Sequence, residues 1–148
     1  MAGSVYCFGG QETYIECGDD DSLYIGGDQT IEMWVRLNSL VRSKSNFAHI
    51  YGDANASNFN FGVQNWQFLR LWYTGKDGSM MIPTGDILDF DWSHIAVVVE
   101  YPRCRIYHNG KRVRDAYMPI PGINKNRHSP KHLAGRPDAG SGCPIDLA

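Results

Sequence analysis

The clearest pattern in the sequence is a strict alternation of apolar and polar residues over positions 30–37. The apolar set is Ile31, Met33, Val35 and Leu37, and polar or aromatic residues stand between them. A period of two places alternate side chains on opposite faces of an extended chain. This segment therefore predicts a β-strand with one buried face.

Shorter apolar runs rich in Val, Ile, Tyr and Phe recur along the rest of the chain. They predict strands at 5–8, 14–17, 47–51, 59–63, 67–73, 79–82, 92–101, 103–108, 111–116, 131–134 and 144–147. Pro83 should end one of them, because proline cannot donate to a strand ladder. Asn109-Gly110 predicts a two-residue hairpin with positive φ at both positions. No helical periodicity competes with these runs.

Many short strands separated by glycine-rich turns indicate an all-β fold, a two-sheet antiparallel sandwich or a barrel. No internal repeat is present, which disfavours a propeller or a β-helix. The predicted core is the set Ile31, Met33, Val35, Ile95, Val97, Val99 and Ile106.

Composition limits the classes of protein that remain. The 148 residues are 43% hydrophobic and 20% charged, which suits one globular domain with its own core. A net charge of −2 gives no general attraction to nucleic acid, and no apolar run is long enough to span a membrane.

The charges are unevenly distributed along the chain. Positions 101–148 carry 9 basic and 3 acidic residues, and positions 1–100 carry 5 and 13. We favour complementary surfaces within one fold as the explanation; a basic patch for an anionic ligand is the alternative.

The four cysteines stand at 7, 17, 104 and 143, without the CxxC spacing of a structural zinc site. A hairpin about Gly9-Gly10 would place Cys7 opposite residue 14 or 15 and not opposite Cys17. We therefore predict free thiols that are mostly buried. No secretory signal precedes the first strand, so we expect a chain used without secretion or a trimmed one.

Three blocks in this order carry a resemblance to a known family. They are T-I-E-M-W-V at 30–35, W-S-H-I-A-V at 92–97 and Y-H-N-G-K at 107–111. The sequence resembles the laminin G-like, concanavalin A-like jelly-roll superfamily over nearly its whole length. The resemblance implies one domain over 1–148 with two antiparallel sheets packed face to face, one of them curved.

The C-terminus departs from that family, whose members usually end with a strand that follows a P-I-D element. Here Pro144, Ile145 and Asp146 begin it, and only two residues follow. A strand averages about five to six residues, so we expect a partner chain or a missing segment to complete this sheet edge.

Glycosidases of this superfamily carry an E-x-D-x-x-E set of carboxylates on one strand, and no such triplet occurs here. The nearest acids are Glu100 and the pair Asp89 and Asp91. The pair is typical of a polar turn before a strand. We therefore predict that the protein is not an enzyme.

Calcium is the one cofactor that the resemblance implies. Relatives bind it at the sandwich rim through a late aspartate and carbonyl groups of N-terminal turns. Asp146 matches the late aspartate, and Asp28 follows a Gly-Gly turn. The alternatives are that Asp28 caps its turn and that Asp146 faces water.

An aromatic set alternates along the strand predicted at 67–73. Trp66, Arg70 and Trp72 share one face with Phe68 and could form a stacking surface for a sugar ring, with the guanidinium binding a carboxylate or a hydroxyl. The alternative, which large aromatics favour, is that this face is the core and the leucine face is partly exposed.

The leading functional hypothesis is a non-catalytic recognition module for a glycan or protein ligand at a cell exterior or virion surface. The alternative is a structural or adhesive component of an assembly, such as a phage decoration or tail protein. A glycoside hydrolase relative is a weaker option. Neither nucleic acid nor membrane is an expected partner.

Overall fold

The computed structural model describes residues 6–8, 13–23, 28–39, 47–53, 59–64, 68–75, 78–118, 130–134 and 145–147. The strands are β1 (Tyr6–Cys7), β2 (Ile15–Gly18), β3 (Gln29–Leu37), β4 (Phe47–Asp53), β5 (Phe59–Gln64), β6 (Phe68–Gly75), β7 (Gly78–Ile87), β8 (Ser93–Glu100), β9 (Arg103–His108), β10 (Lys111–Tyr117), β11 (Lys131–Leu133) and β12 (Ile145–Leu147). One 3-10 turn lies at Asp21–Leu23. Within these ranges no helix is long and apolar enough to cross a bilayer.

The strands form two antiparallel sheets. Sheet A has the order β1-β12-β3-β8-β9-β10, and sheet B has the order β2-β11-β4-β5-β6-β7. Alternate side chains of each sheet meet in one shared core. The predicted two-sheet sandwich is confirmed.

The predicted core is confirmed at Val35, Ile95, Val97, Val99 and Ile106, all of which are buried. Ile31 and Met33 also face inward, are partly buried and pack against this core.

The hairpin between β9 and β10 forms as predicted. Asn109 has a φ of 49° and Gly110 a φ of 76°, so both central residues are left-handed. The predicted stop at Pro83 is wrong, because β7 continues to Ile87. β7 is the edge strand of sheet B, where a residue without an N–H group is tolerated.

The predicted free thiols are confirmed at Cys7, Cys17 and Cys104, and the predicted burial is wrong for the first two. β1 lies in sheet A and β2 in sheet B, so they form no hairpin, and Cys7 and Cys17 are exposed. Cys104 is buried in the core, and burial raises the pKa of its thiol to about 12. Cys143 lies outside the described residues.

The C-terminal run does form a strand, and that strand is paired on both sides. Ile145 lies opposite Leu37, and Leu147 lies opposite both Val35 and Tyr6.

The opposite edge of the sandwich is closed by a side-chain contact. His108 Nδ1 at the end of β9 lies 2.6 Å from Asp86 Oδ2 of β7. The contact joins sheet A to sheet B where β10 also packs near β7. The two sheets are therefore joined at this edge by a side-chain contact as well as by the shared core.

Candidate functional site

The face of sheet B that points away from the core carries a row of residues related by strand pairing. Across the six strands this polar row reads Glu16, His132, Gly52, Asn60, Trp72 and Met81. A second row beside it reads His49, Gly62, Arg70 and Pro83. Adjacent strands lie about 4.8 Å apart, so these side chains are neighbours on one surface.

Two glycines lie at the centre of this face. Gly52 and Gly62 stand in the two rows on the neighbouring strands β4 and β5. A Cβ atom at Gly52 would overlap Asn60 Oδ1 and the Phe59 carbonyl oxygen, and its φ of 155° favours glycine. The close approach of β4 to β5 therefore depends on glycine.

Asn60 is the most unusual polar residue on the face. Its side chain is fully buried, and in the described part of the chain neither its amide nitrogen nor its oxygen has a hydrogen-bond partner. The Oε1 atom of Gln64, on the same face of β5, also has none there. An unpaired buried amide costs about 1–3 kcal/mol, so a partner for Asn60 is worth a comparable amount.

His132 adds a titratable group to the polar row. Its ring is buried, packs edge-on against Tyr14 with centroids 5.2 Å apart, and places Nε2 3.5 Å from Glu16 Oε2. Protonation would make this contact an ion pair, and neutral imidazole would offer one donor and one acceptor.

The structure places two of the three predicted ligand-binding residues on this face. Arg70 and Trp72 are partly exposed there, two residues apart on β6, whereas Leu69 and Leu71 on the opposite face are fully buried. The interpretation of the aromatic face as core is therefore wrong at these positions. Trp66 lies outside the described residues.

Arg70 has no carboxylate partner among the residues that the structure describes. Its Nη1 atom lies 3.1 Å from the sulfur of Met81, which is a weak acceptor. A guanidinium can make a bidentate contact with an acidic group. Together with the indole of Trp72, it offers a charged contact and a stacking surface side by side.

Asp146, the predicted calcium ligand, is buried on the outer side of sheet A and does not face water. Arg36 donates to its Oδ2 from Nε at 3.1 Å and also from Nη2, and Asn38 donates to Oδ1 at 2.9 Å. The guanidinium of Arg36 also lies over the Trp92 ring, 5.3 Å from its centroid. Both carboxylate oxygens are therefore occupied.

Asp28 lies at the other end of β3 from Asp146. Asp146 pairs with Arg36, eight residues from Asp28, which corresponds to about 26 Å along an extended strand. Asp28 Oδ1 accepts a hydrogen bond from Tyr101 N at 3.1 Å, a capping role. The two aspartates therefore cannot bind one ion together.

The described donors around Asp146 do not fit a calcium ion. Calcium needs six to eight oxygen ligands, and here a guanidinium holds the carboxylate. In the described ranges no group of three or more His, Cys, Asp or Glu side chains is arranged for a metal. Calcium binding stays an untested prediction from the family resemblance.

We expect the contacts of Asp146 to make the free energy of unfolding depend on pH in the acidic range. The hydrogen bond from Asn38, with the donors of Arg36, holds the pKa of Asp146 below its ordinary value of 3.8. A lowered folded-state pKa stabilises above the unfolded pKa, and this stabilisation is lost as the pH falls through the folded pKa. Urea unfolding measures the free energy of unfolding at pH 7 and at pH 3. The decrease between these two pH values should be smaller for Asp146→Asn than for the parent chain.

Asp91→Asn is the matched control, because Asp91 is exposed and precedes β8 at a turn. It should leave the decrease in the free energy of unfolding from pH 7 to pH 3 unchanged. If Asp146→Asn shows the same decrease as the parent chain, the Arg36 and Asn38 contacts are not its cause.

The other candidate carboxylates lie at the protein surface. Glu100 Oε2 accepts from Arg105 Nη1 at 2.7 Å on sheet A, and Asp89 and Asp91 are exposed beside β8. On the polar row of sheet B the carboxylate is Glu16, at an edge strand. Glycosidases need two carboxylates about 5–9.5 Å apart across a scissile bond, and this row does not supply such a pair.

Sequence reasoning missed Asn60 and His132. Asn60 and Gly62 alternate with Phe59, Phe61 and Val63, and this alternation already places them on the face opposite the core. His132 gave no such signal, since its neighbours Glu16 and Gly52 are far away in sequence.

The fold is a jelly-roll type of β-sandwich with a partly exposed aromatic and polar face on one sheet. The chain belongs to the concanavalin A-like lectin/glucanases superfamily, whose family model matches residues 8–146. The predicted resemblance is thereby confirmed. No curated protein sequence matches the chain.

Solved structures show the same fold at low identity. Domains LG4-5 of the mouse laminin α1 chain superpose with a TM-score of 0.76 at 12% identity, covering 97% of this chain and 40% of that one. The binding domain of Paraclostridial Mosquitocidal Protein 1 gives 0.72 at 16% identity, covering 97% and 40%. This chain therefore spans about 40% of the length of these two structures.

A third structure matches over most of its own length. It is the CBM40 module of Ruminococcus gnavus IT-sialidase bound to α2,3-sialyllactose, with a TM-score of 0.67 at 10% identity and coverage of 98% and 88%. At this identity the likeness establishes the fold.

Proposed function

We propose that the protein is a non-catalytic module that binds glycans on the outer face of sheet B. The observation that carries the proposal is the pairing of Arg70 and Trp72 on that face, partly exposed and above a buried core. The Trp72 ring stacks on the apolar face of a sugar ring, and Arg70 contacts a carboxylate or hydroxyl group.

The neighbouring amide lies beneath the proposed site. Asn60 lies beside Trp72 in the polar row but is 0% exposed, so it supports this surface and does not reach a ligand on it. The ligand contacts are therefore assigned to Trp72 and Arg70. The Ruminococcus gnavus module, bound to a sialylated sugar, supports a glycan with a carboxylate as the first ligand to examine.

The test is a glycan array that contains neutral and acidic oligosaccharides, followed by titration of the best ligand. Trp72→Ala should weaken binding at least about tenfold, because loss of the stacked ring costs roughly 1.5 kcal/mol. Arg70→Gln should weaken the binding of acidic glycans more than that of neutral ones, and Arg70→Lys should retain part of the affinity that Arg70→Gln loses.

Two controls match these changes on the other sheet. Trp34 is an exposed tryptophan on sheet A, and Arg114 is an exposed arginine on β10. Trp34→Ala and Arg114→Gln should leave the affinity unchanged. Binding that survives Trp72→Ala and disappears in Trp34→Ala would move the site to sheet A and refute the proposal.

A glycan-binding role is compatible with an extracellular or virion-surface location, which stays a prediction. The structural or adhesive role in an assembly also stays a prediction. A folded chain that binds no glycan on the array would favour it.

A further inference from the structure

Met81 stands beside the two residues assigned to the glycan site. It lies on β7 directly opposite Trp72 of β6, and its sulfur lies 3.1 Å from Nη1 of Arg70. The residue is 46% exposed on the outer face of sheet B. Its sulfur atom is therefore open to dissolved reagents and also in contact with a guanidinium group.

The other methionines of the described residues are more enclosed. Met33 and Met80 are partly buried and pack against the core, and Met118 is 0% exposed. Met80 precedes Met81 on the same strand, and it points to the opposite face because successive side chains of a strand alternate. Of these four sulfur atoms, that of Met81 is the one that a reagent in solution reaches most easily.

Hydrogen peroxide converts a thioether such as that of methionine to a sulfoxide. A sulfur lone pair attacks one peroxide oxygen, an S–O bond forms and the O–O bond breaks. The second oxygen leaves as water after a proton transfer. The sulfur loses two electrons and the peroxide gains them. The apolar side chain thereby becomes a polar one that carries an S=O group.

The new oxygen would change what Arg70 contacts. A thioether sulfur is a weak acceptor, whereas the oxygen of a sulfoxide carries a large partial negative charge. Because Nη1 already lies 3.1 Å from the sulfur, an oxygen on that sulfur comes within hydrogen-bond distance after a small rotation of either side chain. Hydrogen bonds from a charged donor are stronger than neutral ones, so the guanidinium would be held at Met81.

We propose that Met81 is an oxidation site that controls the availability of Arg70 to acidic groups. The thioether leaves the guanidinium available, and the sulfoxide binds it. The reaction leaves the indole of Trp72 unchanged, so oxidation should alter the preference for acidic over neutral ligands. This effect on ligand choice rests on the proposed function, whereas the oxidation and the contact with Arg70 do not.

The first measurement needs no glycan. The chain is treated with a small excess of hydrogen peroxide and then with a thiol reductant, which restores cysteine sulfenic acids and disulfides and leaves sulfoxides. Peptide mass spectrometry should find the added oxygen at Met81 at least about fivefold faster than at Met80, because oxidation follows exposure. Phenylglyoxal, which modifies guanidinium groups, should then react more slowly with Arg70, and its reaction with the exposed Arg114 should be unchanged.

The second measurement titrates one acidic and one neutral oligosaccharide. Oxidation should lower the ratio of their association constants about fivefold, the effect of one hydrogen bond, and methionine sulfoxide reductase should restore it. Met81→Gln places a carbonyl acceptor near Arg70 and should lower the ratio without peroxide. Met81→Leu has no sulfur and should make the ratio insensitive to peroxide. Met80→Leu is the matched control and should respond to peroxide as the parent chain does.

Three results would overturn the proposal. One is oxidation of Met80 as fast as that of Met81 in a chain that circular dichroism shows to be folded. The second is an unchanged reaction of Arg70 with phenylglyoxal after Met81 is oxidised. The third is a fall in the affinity ratio that persists in Met81→Leu, which would place the effect at another residue.

Failure of the proposed function gives a different result. A chain that binds no glycan, but whose Arg70 is protected from phenylglyoxal by oxidation of Met81, would refute glycan binding. The same result would support control of Arg70 by Met81.

Discussion

Gly52→Ala should lower the free energy of unfolding by about 3 kcal/mol, because it combines backbone strain with overlap. The added methyl group would overlap Asn60 Oδ1 and the Phe59 carbonyl oxygen on the adjacent strand. The φ of 155° is also one that residues with a Cβ atom rarely adopt. Urea unfolding monitored by tryptophan fluorescence measures the loss.

Gly85→Ala separates these two causes. Gly85 also has a positive φ, 77°, but an added Cβ atom would meet nothing within 4 Å. The Gly85→Ala variant should therefore lower the free energy of unfolding only by the contribution of backbone strain, about 1 kcal/mol. Equal losses in the two variants would show that the contact between β4 and β5 is looser than the structure indicates.

Leu37→Ala should destabilise the protein by about 3 kcal/mol, and Met33→Ala by roughly half as much. Both residues point inward from β3, but Leu37 is 1% exposed, whereas Met33 is only partly buried. A side chain that is already partly hydrated loses less transfer free energy when it is truncated. Chemical denaturation of the two variants measures the difference.

Local signals in the sequence were sufficient for much of the fold. The alternation over 30–37 predicted β3 within one residue, since one buried face imposes a period of two. Asn109-Gly110 predicted its hairpin because both positions require a left-handed backbone. These features depend on neighbours in sequence, and local patterns report them well.

The features that sequence reasoning missed depend on contacts between distant segments. The polar row joins Glu16, His132 and Gly52 through three strands that are far apart in the chain. The assignment of β1 and β2 to different sheets likewise follows from their partners and not from the turn between them.

The correct face of β6 was also ambiguous from sequence alone. Leu69 and Leu71 alternate with Arg70 and Trp72, and both sets contain large apolar side chains. The pairing with β5 resolves this, because Phe61 faces Leu71 in the core whereas Asn60 faces Trp72 on the outside. A single strand pattern carries no information about such a partner.

Strands β4 and β11 contribute to both faces of sheet B. Tyr51 and Leu133 pack against the core, and the adjacent residues Gly52 and His132 lie in the polar row on the other side of the sheet. A ligand that binds the outer face would hold the same backbone that positions these core side chains. Because a ligand that binds only the folded chain shifts the folding equilibrium, such binding would raise the melting temperature of the whole sandwich.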